Sequence, residues 1–148
     1  MKKLLIIAAS VAATFSVNAS DLYSVKAANE IKGYSQDQLA AVTTKLNAKF
    51  AKDMPVKVDE VTTITAMYYM STNRSINYRA EVDLSKYDVT VEFSKKALEE
   101  NKHSLFDNLC HIYSTRTLME AGFVVNYRYV SLKNEYITSL KITKEDCK

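Results

Sequence analysis

Few residues in this chain have types and spacing suited to chemistry. Two cysteines, Cys110 and Cys147, lie 37 positions apart, and the two histidines are His103 and His111. A Cys–His nucleophile needs a thiol of lowered pKa and a base that reaches it in space. His111 directly follows Cys110, and sequence neighbours rarely face each other, so His111 reads as a bystander. Zinc needs three or four ligands; the cysteines and histidines could supply four, but their spacing fits no standard site. His103 sits in the polar stretch Asn101-Lys102-His103 and reads as solvated. Asp59-Glu60 is the acidic pair to weigh for a general acid and base. Adjacent strand residues point to opposite faces, so this pair reads instead as a polar cap opening a hairpin. Glu99-Glu100 and Glu145-Asp146 read as solvated charge. There is no HExxH or GxSxG motif, and two glycines, Gly33 and Gly122, cannot build a phosphate cradle. No catalytic residue, metal ligand or cofactor is expected.

Tyrosine is the compositional signal: ten are present and no tryptophan. Tyr68, Tyr69, Tyr78, Tyr127, Tyr129 and Tyr136 fall on expected strands, with Arg79 and Arg128 at equivalent places beside tyrosines. Strand tyrosines serve either as sheet core or as a protein-binding face, because tyrosine favours both settings. The candidate binding set is Tyr78, Arg79, Tyr127, Arg128, Tyr129 and Tyr136.

The elements that must position these residues begin after a leader. Lys2 and Lys3 precede an uncharged, mostly apolar run from Leu4 to Val17, and Val17-Asn18-Ala19 supplies small residues for cleavage. This is the layout of a bacterial secretory signal peptide, 1–19, cut between Ala19 and Ser20. The expected location is periplasmic or secreted. No cysteine lies at the cleavage region, so no lipid anchor is expected, and no later apolar run is long enough to span a membrane. Residues 20–148 suffice for a single domain. The leader takes two lysines with it, leaving 18 basic against 17 acidic residues, or +1. With no basic cluster, nucleic acid is not an expected partner. In an oxidising compartment Cys110 and Cys147 form one disulfide.

Residues 20–32 could form a short helix that Gly33 stops. Ser35-Gln36-Asp37-Gln38 is a capping box, followed by a stripe of Leu39, Val42, Leu46 and Phe50, so a helix is expected over 35–52. Residues 61–70 and 76–82 read as a hairpin about a turn at 71–75. Helical spacing returns over 94–110 through Leu98, Leu105 and Leu109, and a short helix is expected from Thr115 to Ala121, capped by Ser114. A second hairpin joins 123–130 to 136–142, with Val125, Tyr127 and Tyr129 on one face and Tyr136, Thr138, Leu140 and Ile142 together on another. The expected fold is α+β: an antiparallel sheet of about four strands in two hairpins, helices packed on one face, and one disulfide.

Val58-Asp59-Glu60-Val61-Thr62, Asn77-Tyr78-Arg79, Cys110, the run from Ala121 to Tyr129 and Cys147 occur in an order that resembles a family of small exported bacterial proteins of largely uncharacterised role. The resemblance spans Pro55 to Cys147. It implies the two hairpins and the disulfide and carries over no activity. The expected function is a non-enzymatic, soluble protein-binding module: an inhibitor, an immunity-type protein or an envelope assembly accessory. Its partner is another envelope or secreted protein. One alternative is a small-molecule or envelope-ligand binder with a pocket lined by Phe50, Met67, Met70 and the tyrosines. Another is an enzyme of unrecognised type using Asp59, Glu60 or His111.

Overall fold

The computed structural model describes residues 24–147; the leader lies outside them. Among the described residues five α-helices and five strands fall in two blocks, each of helices followed by strands. The order is α1 (Val25–Lys32), α2 (Gln36–Asp53), β1 (Val56–Lys57), β2 (Thr62–Met70), β3 (Ser75–Val82), α3 (Val91–Glu100), α4 (Lys102–Cys110), α5 (Tyr113–Glu120), β4 (Val124–Ser131) and β5 (Tyr136–Ile142). Among the described residues no helix is long and apolar enough to cross a membrane.

Helix α2 starts where its sequence says. The Ser35 hydroxyl accepts from the Gln38 N–H at 3.3 Å, and the Gln38 side chain accepts from the Ser35 N–H at 2.8 Å. Its core stripe differs from the expected one: Leu39 and Thr43 are buried while Val42 is exposed. Thr43 can enter the core because its hydroxyl donates to the Ala40 carbonyl at 3.1 Å. The helix expected over 94–110 is two helices. Asn101 breaks it, its side-chain amide donating to the Ala97 carbonyl at 2.8 Å and ending α3. Helix α5 begins at Tyr113 rather than at a Ser114 cap. It ends at Glu120, and Gly122 just beyond turns the chain with a φ of +92° that suits a residue without Cβ.

The sheet runs β1-β2-β3-β4-β5. Pairing is antiparallel except between β3 and β4, which are parallel. The expected four-stranded antiparallel sheet is therefore a five-stranded mixed one. Parallel neighbours need a long crossover, and α3, α4 and α5 supply it between β3 and β4. β1 is two residues long, too short to leave a period in the sequence.

The parallel pair has an unusual register. Asn77 lies opposite Asn126, Tyr78 opposite Tyr127 and Arg79 opposite Arg128, so two identical tripeptides run side by side. Alternation sends the tyrosines to one face and the asparagines and arginines to the other. The tyrosine face is the core. Ile64, Met67 and Tyr69 of β2 join Ile76, Tyr78 and Ala80 of β3 there. Val125, Tyr127 and Tyr129 of β4 and Leu140 and Ile142 of β5 complete it. Helix α2 covers β2 on that side, and α3 covers β5. α2 also closes part of the β2 edge: Asn47 donates to the Tyr69 carbonyl at 3.0 Å and accepts from its N–H at 2.6 Å.

The disulfide joins Cys110 at the end of α4 to Cys147, with Cα atoms 5.4 Å apart. It is seconded by Arg116 of α5, whose guanidinium donates to the Cys147 carbonyl at 3.1 Å. The chain therefore returns from β5 to the helical layer, held by one covalent and one polar contact.

Candidate functional site

Among the described residues no helix packs on the opposite face of the sheet. Its side chains include Tyr68 and Met70 from β2, Asn77 and Arg79 from β3, Asn126 and Arg128 from β4, and Lys141 from β5, all exposed or half-buried. Tyr68 is 45% exposed and Tyr136 54%. The sheet thus has one insulated side and one bare side.

Two irregularities shape the bare side. A bulge in β2 between Ile64 and Ala66 leaves Thr65 out of the ladder. Its hydroxyl accepts from the Arg79 guanidinium at 2.8 Å. Arg79 also forms an ion pair with Glu81 and donates to the Asn134 side chain at 3.0 Å. Arg79 is therefore a brace between the sheet face and the β4–β5 turn, with its charge answered locally. A second register shift, between Tyr129 and Val130, inserts Ile137 as the extra residue of β5. Strict alternation groups Tyr136 with Thr138, Leu140 and Ile142. The shift instead moves Tyr136 to the bare face, where the Arg128 guanidinium sits 5.9 Å from its ring centre. Between the tripeptides, the Asn126 side chain donates to Asn77 at 3.0 Å, and Asn77 donates to the Ser75 hydroxyl at 2.8 Å.

The six candidate binding residues divide between the two faces. Arg79, Arg128 and Tyr136 share the bare face. Tyr78, Tyr127 and Tyr129 are buried and do not reach it. Tyr78 and Tyr127 stack with centroids 4.4 Å apart and 11° between planes, and Tyr129 continues the stack 5.9 Å from Tyr127. Tyrosine propensity alone does not separate the two settings; period and register do. Tyr68, Met70 and Lys141 on the bare face are missed by the sequence reading; the period of two along their strands is the signal that marks them as outward. Burial holds the phenols protonated. It pushes Tyr69 up to about 12, and raises Tyr78, Tyr127 and Tyr129 further, with neighbouring Tyr69 adding to the rise at Tyr78 and Asp59 to that at Tyr129.

The other chemical candidates have structural engagements. Asp59 accepts the Val61 and Thr62 N–H groups at 2.8 and 2.7 Å, capping the entry to β2. Glu60 receives the Tyr87 hydroxyl at 3.4 Å, and its carbonyl accepts from Lys86. The His111 ring Nδ1 lies 2.6 Å from the Asp107 carbonyl of its own helix, and His103 meets the edge of Phe106. The cysteines that a zinc site would need are consumed by the disulfide. Met67 and Met70, expected together in a ligand pocket, lie on opposite faces because three positions separate them.

The open space lies elsewhere. A groove of about 380 Å³ runs between residues 83–91 and the β4–β5 turn at 131–135.

Comparison with solved structures shows that this fold has counterparts. The chain is similar to the pilotin EpsS of the Vibrio vulnificus type 2 secretion system, with a TM-score of 0.61, 9% identity, and coverage of 76% of this chain and 94% of that one. It is similar to a Pseudomonas aeruginosa protein described as secreted, with a TM-score of 0.63, 16% identity and coverage of 78% and 100%. It is also similar to the type II secretion system pilotin AspS of Vibrio cholerae, with a TM-score of 0.57, 12% identity and coverage of 81% and 99%. At these identities the likeness is one of fold. No protein-family profile and no curated protein matches the chain.

Proposed function

We propose that this chain is a non-enzymatic accessory of a bacterial envelope assembly, exported by its leader, that binds another protein through the bare face of its sheet. The observation that carries the reading is the one-sided coat of helices. It leaves Tyr68 and Met70 toward one end and Arg128 with Tyr136 toward the other, all exposed on one face of the sheet. Aromatic side chains, methionine and arginine are the types that dominate the centres of protein interfaces. A sheet lends them precision, because strand residues lose little freedom on binding. The pilotin fold supports the envelope setting, and the disulfide supports an oxidising compartment.

Site-specific photo-crosslinking in the source cell tests this. A benzophenone amino acid is placed at Tyr68 or Tyr136, and at the exposed Val42 of α2 as a control. A discrete cross-linked protein is expected from Tyr68 and Tyr136 and not from Val42, with the yield lowered by Arg128→Glu. The same product from Val42, or none from the sheet positions in folded protein, overturns the reading.

A further inference from the structure

We infer that the groove between residues 83–91 and the β4–β5 turn receives a lysine or arginine side chain carried on an apolar segment of the protein partner. The inference rests on the protein-binding reading above and gives it a second, chemically distinct contact.

The walls of the groove are apolar: Leu84, Val89 and Val91 on one side and Leu132 on the other. Leu132 is 61% exposed, the most exposed of the large apolar side chains described. The lining is also acidic. Asp83, Asp88 and Glu135 set three carboxylates against the one ammonium of Lys133. Lys86, close in sequence, is turned away and donates to the Glu60 carbonyl. The N-terminus of α3 at the groove is answered within its own helix, by the Thr90 hydroxyl on the Phe93 N–H and by Glu92 in the first turn. A partner suited to a groove lined by apolar side chains and carboxylates is an aliphatic stem that ends in a cation. Lysine and arginine are the side chains of that form.

Both walls are fixed before anything binds. On one side Asp83 accepts from the Ser85 N–H at 3.2 Å, and the Val89 N–H reaches the Leu84 carbonyl at 3.3 Å. On the other the Ser131 hydroxyl accepts from the N–H groups of Lys133 and Glu135, each at 3.2 Å, while Arg79 holds Asn134. A groove already in shape spares the partner an ordering cost.

The test is nuclear magnetic resonance titration of the disulfide-bonded protein with N-acetyl-Leu-Arg-Leu-amide, against the same peptide with citrulline for arginine. Citrulline keeps the shape and removes the charge. Perturbed amide signals confined to 83–91 and 131–135 are expected with the arginine peptide, and much weaker ones with citrulline. Asp88→Asn and Glu135→Gln each lower the affinity about two- to five-fold, and about 0.5 M salt weakens it further. Asparagine tolerates the positive φ of 48° at position 88, and glutamine keeps an acceptor for Ser131, so both variants fold. Equal binding of both peptides, indifference to the two substitutions, or no perturbation overturns the inference. Perturbation at Arg128 and Tyr136 alone overturns it too, and leaves the binding-face reading standing. Failure of the sheet-face cross-link alongside charge-dependent groove binding sinks that reading instead.

Discussion

The guanidinium of Arg74 donates to four main-chain carbonyls: Ile31 and Lys32 at 3.3 Å, Tyr34 at 3.4 Å and Ala121 at 3.0 Å. It thereby satisfies the carboxyl ends of α1 and α5, where helix carbonyls lack partners. The residue accepts a φ of +46° to do so. Arg74→Ala should lower stability by about 2–3 kcal/mol, since each charge-assisted bond lost leaves a carbonyl to find water. A shift of the urea midpoint at unchanged slope measures it. Arg74→Lys should recover less than half, because an ammonium cannot fork to several carbonyls. Sequence reading assigns Arg74 to a polar turn and goes no further, because its partners lie 40 to 47 positions away and leave no local pattern. The Asp59 cap is the opposite case. Its partners are two and three residues on, and its role was legible.

The elements were legible where their causes are local. The capping box, the Gly122 stop and both hairpins follow from side chains within a few residues of the backbone they control. The mixed sheet was not, because the choice between parallel and antiparallel neighbours is made by the path of three helices. Nor was the placement of Tyr136, because a one-residue shift in the ladder exchanges faces and depends on what opposes it. The disulfide acts at this scale, closing the 37-residue separation that contains α5, β4 and β5. In the chain-entropy account such a loop is worth about 4 kcal/mol. Cys110→Ser with Cys147→Ser should lower the melting temperature markedly. The fraying should start at the C-terminal end, read as faster amide exchange in β5 than in β3.

Over the whole molecule the buried tyrosine stack ties stability to alkaline pH. The phenols of Tyr69, Tyr78, Tyr127 and Tyr129 stay protonated when folded and ionise near pH 10 once exposed. Their folded pKa values lie above the unfolded one, so this stability is complete below pH 10. It is lost as pH rises through the folded values, at about 1.4 kcal/mol per pH unit for each tyrosine ionised only when unfolded. Unfolding between pH 10 and about 12 is the expected result, with the last part of the phenolate absorbance, that of the four buried rings, rising together with loss of circular dichroism. Phenolate absorbance exceeding what the tyrosines outside this buried group can supply, while the fold persists, would place these rings in contact with solvent.

The single coat of helices has a consequence for divergence. Residues that hold the domain together and residues that would meet a partner occupy different sides of the same strands, one position apart. Substitutions can accumulate on the bare side without touching the stack, the core or the disulfide. A lineage could therefore exchange partners while keeping its scaffold, and sequence memory would fade faster than shape. The counterparts that share this fold do so at 9 to 16% identity.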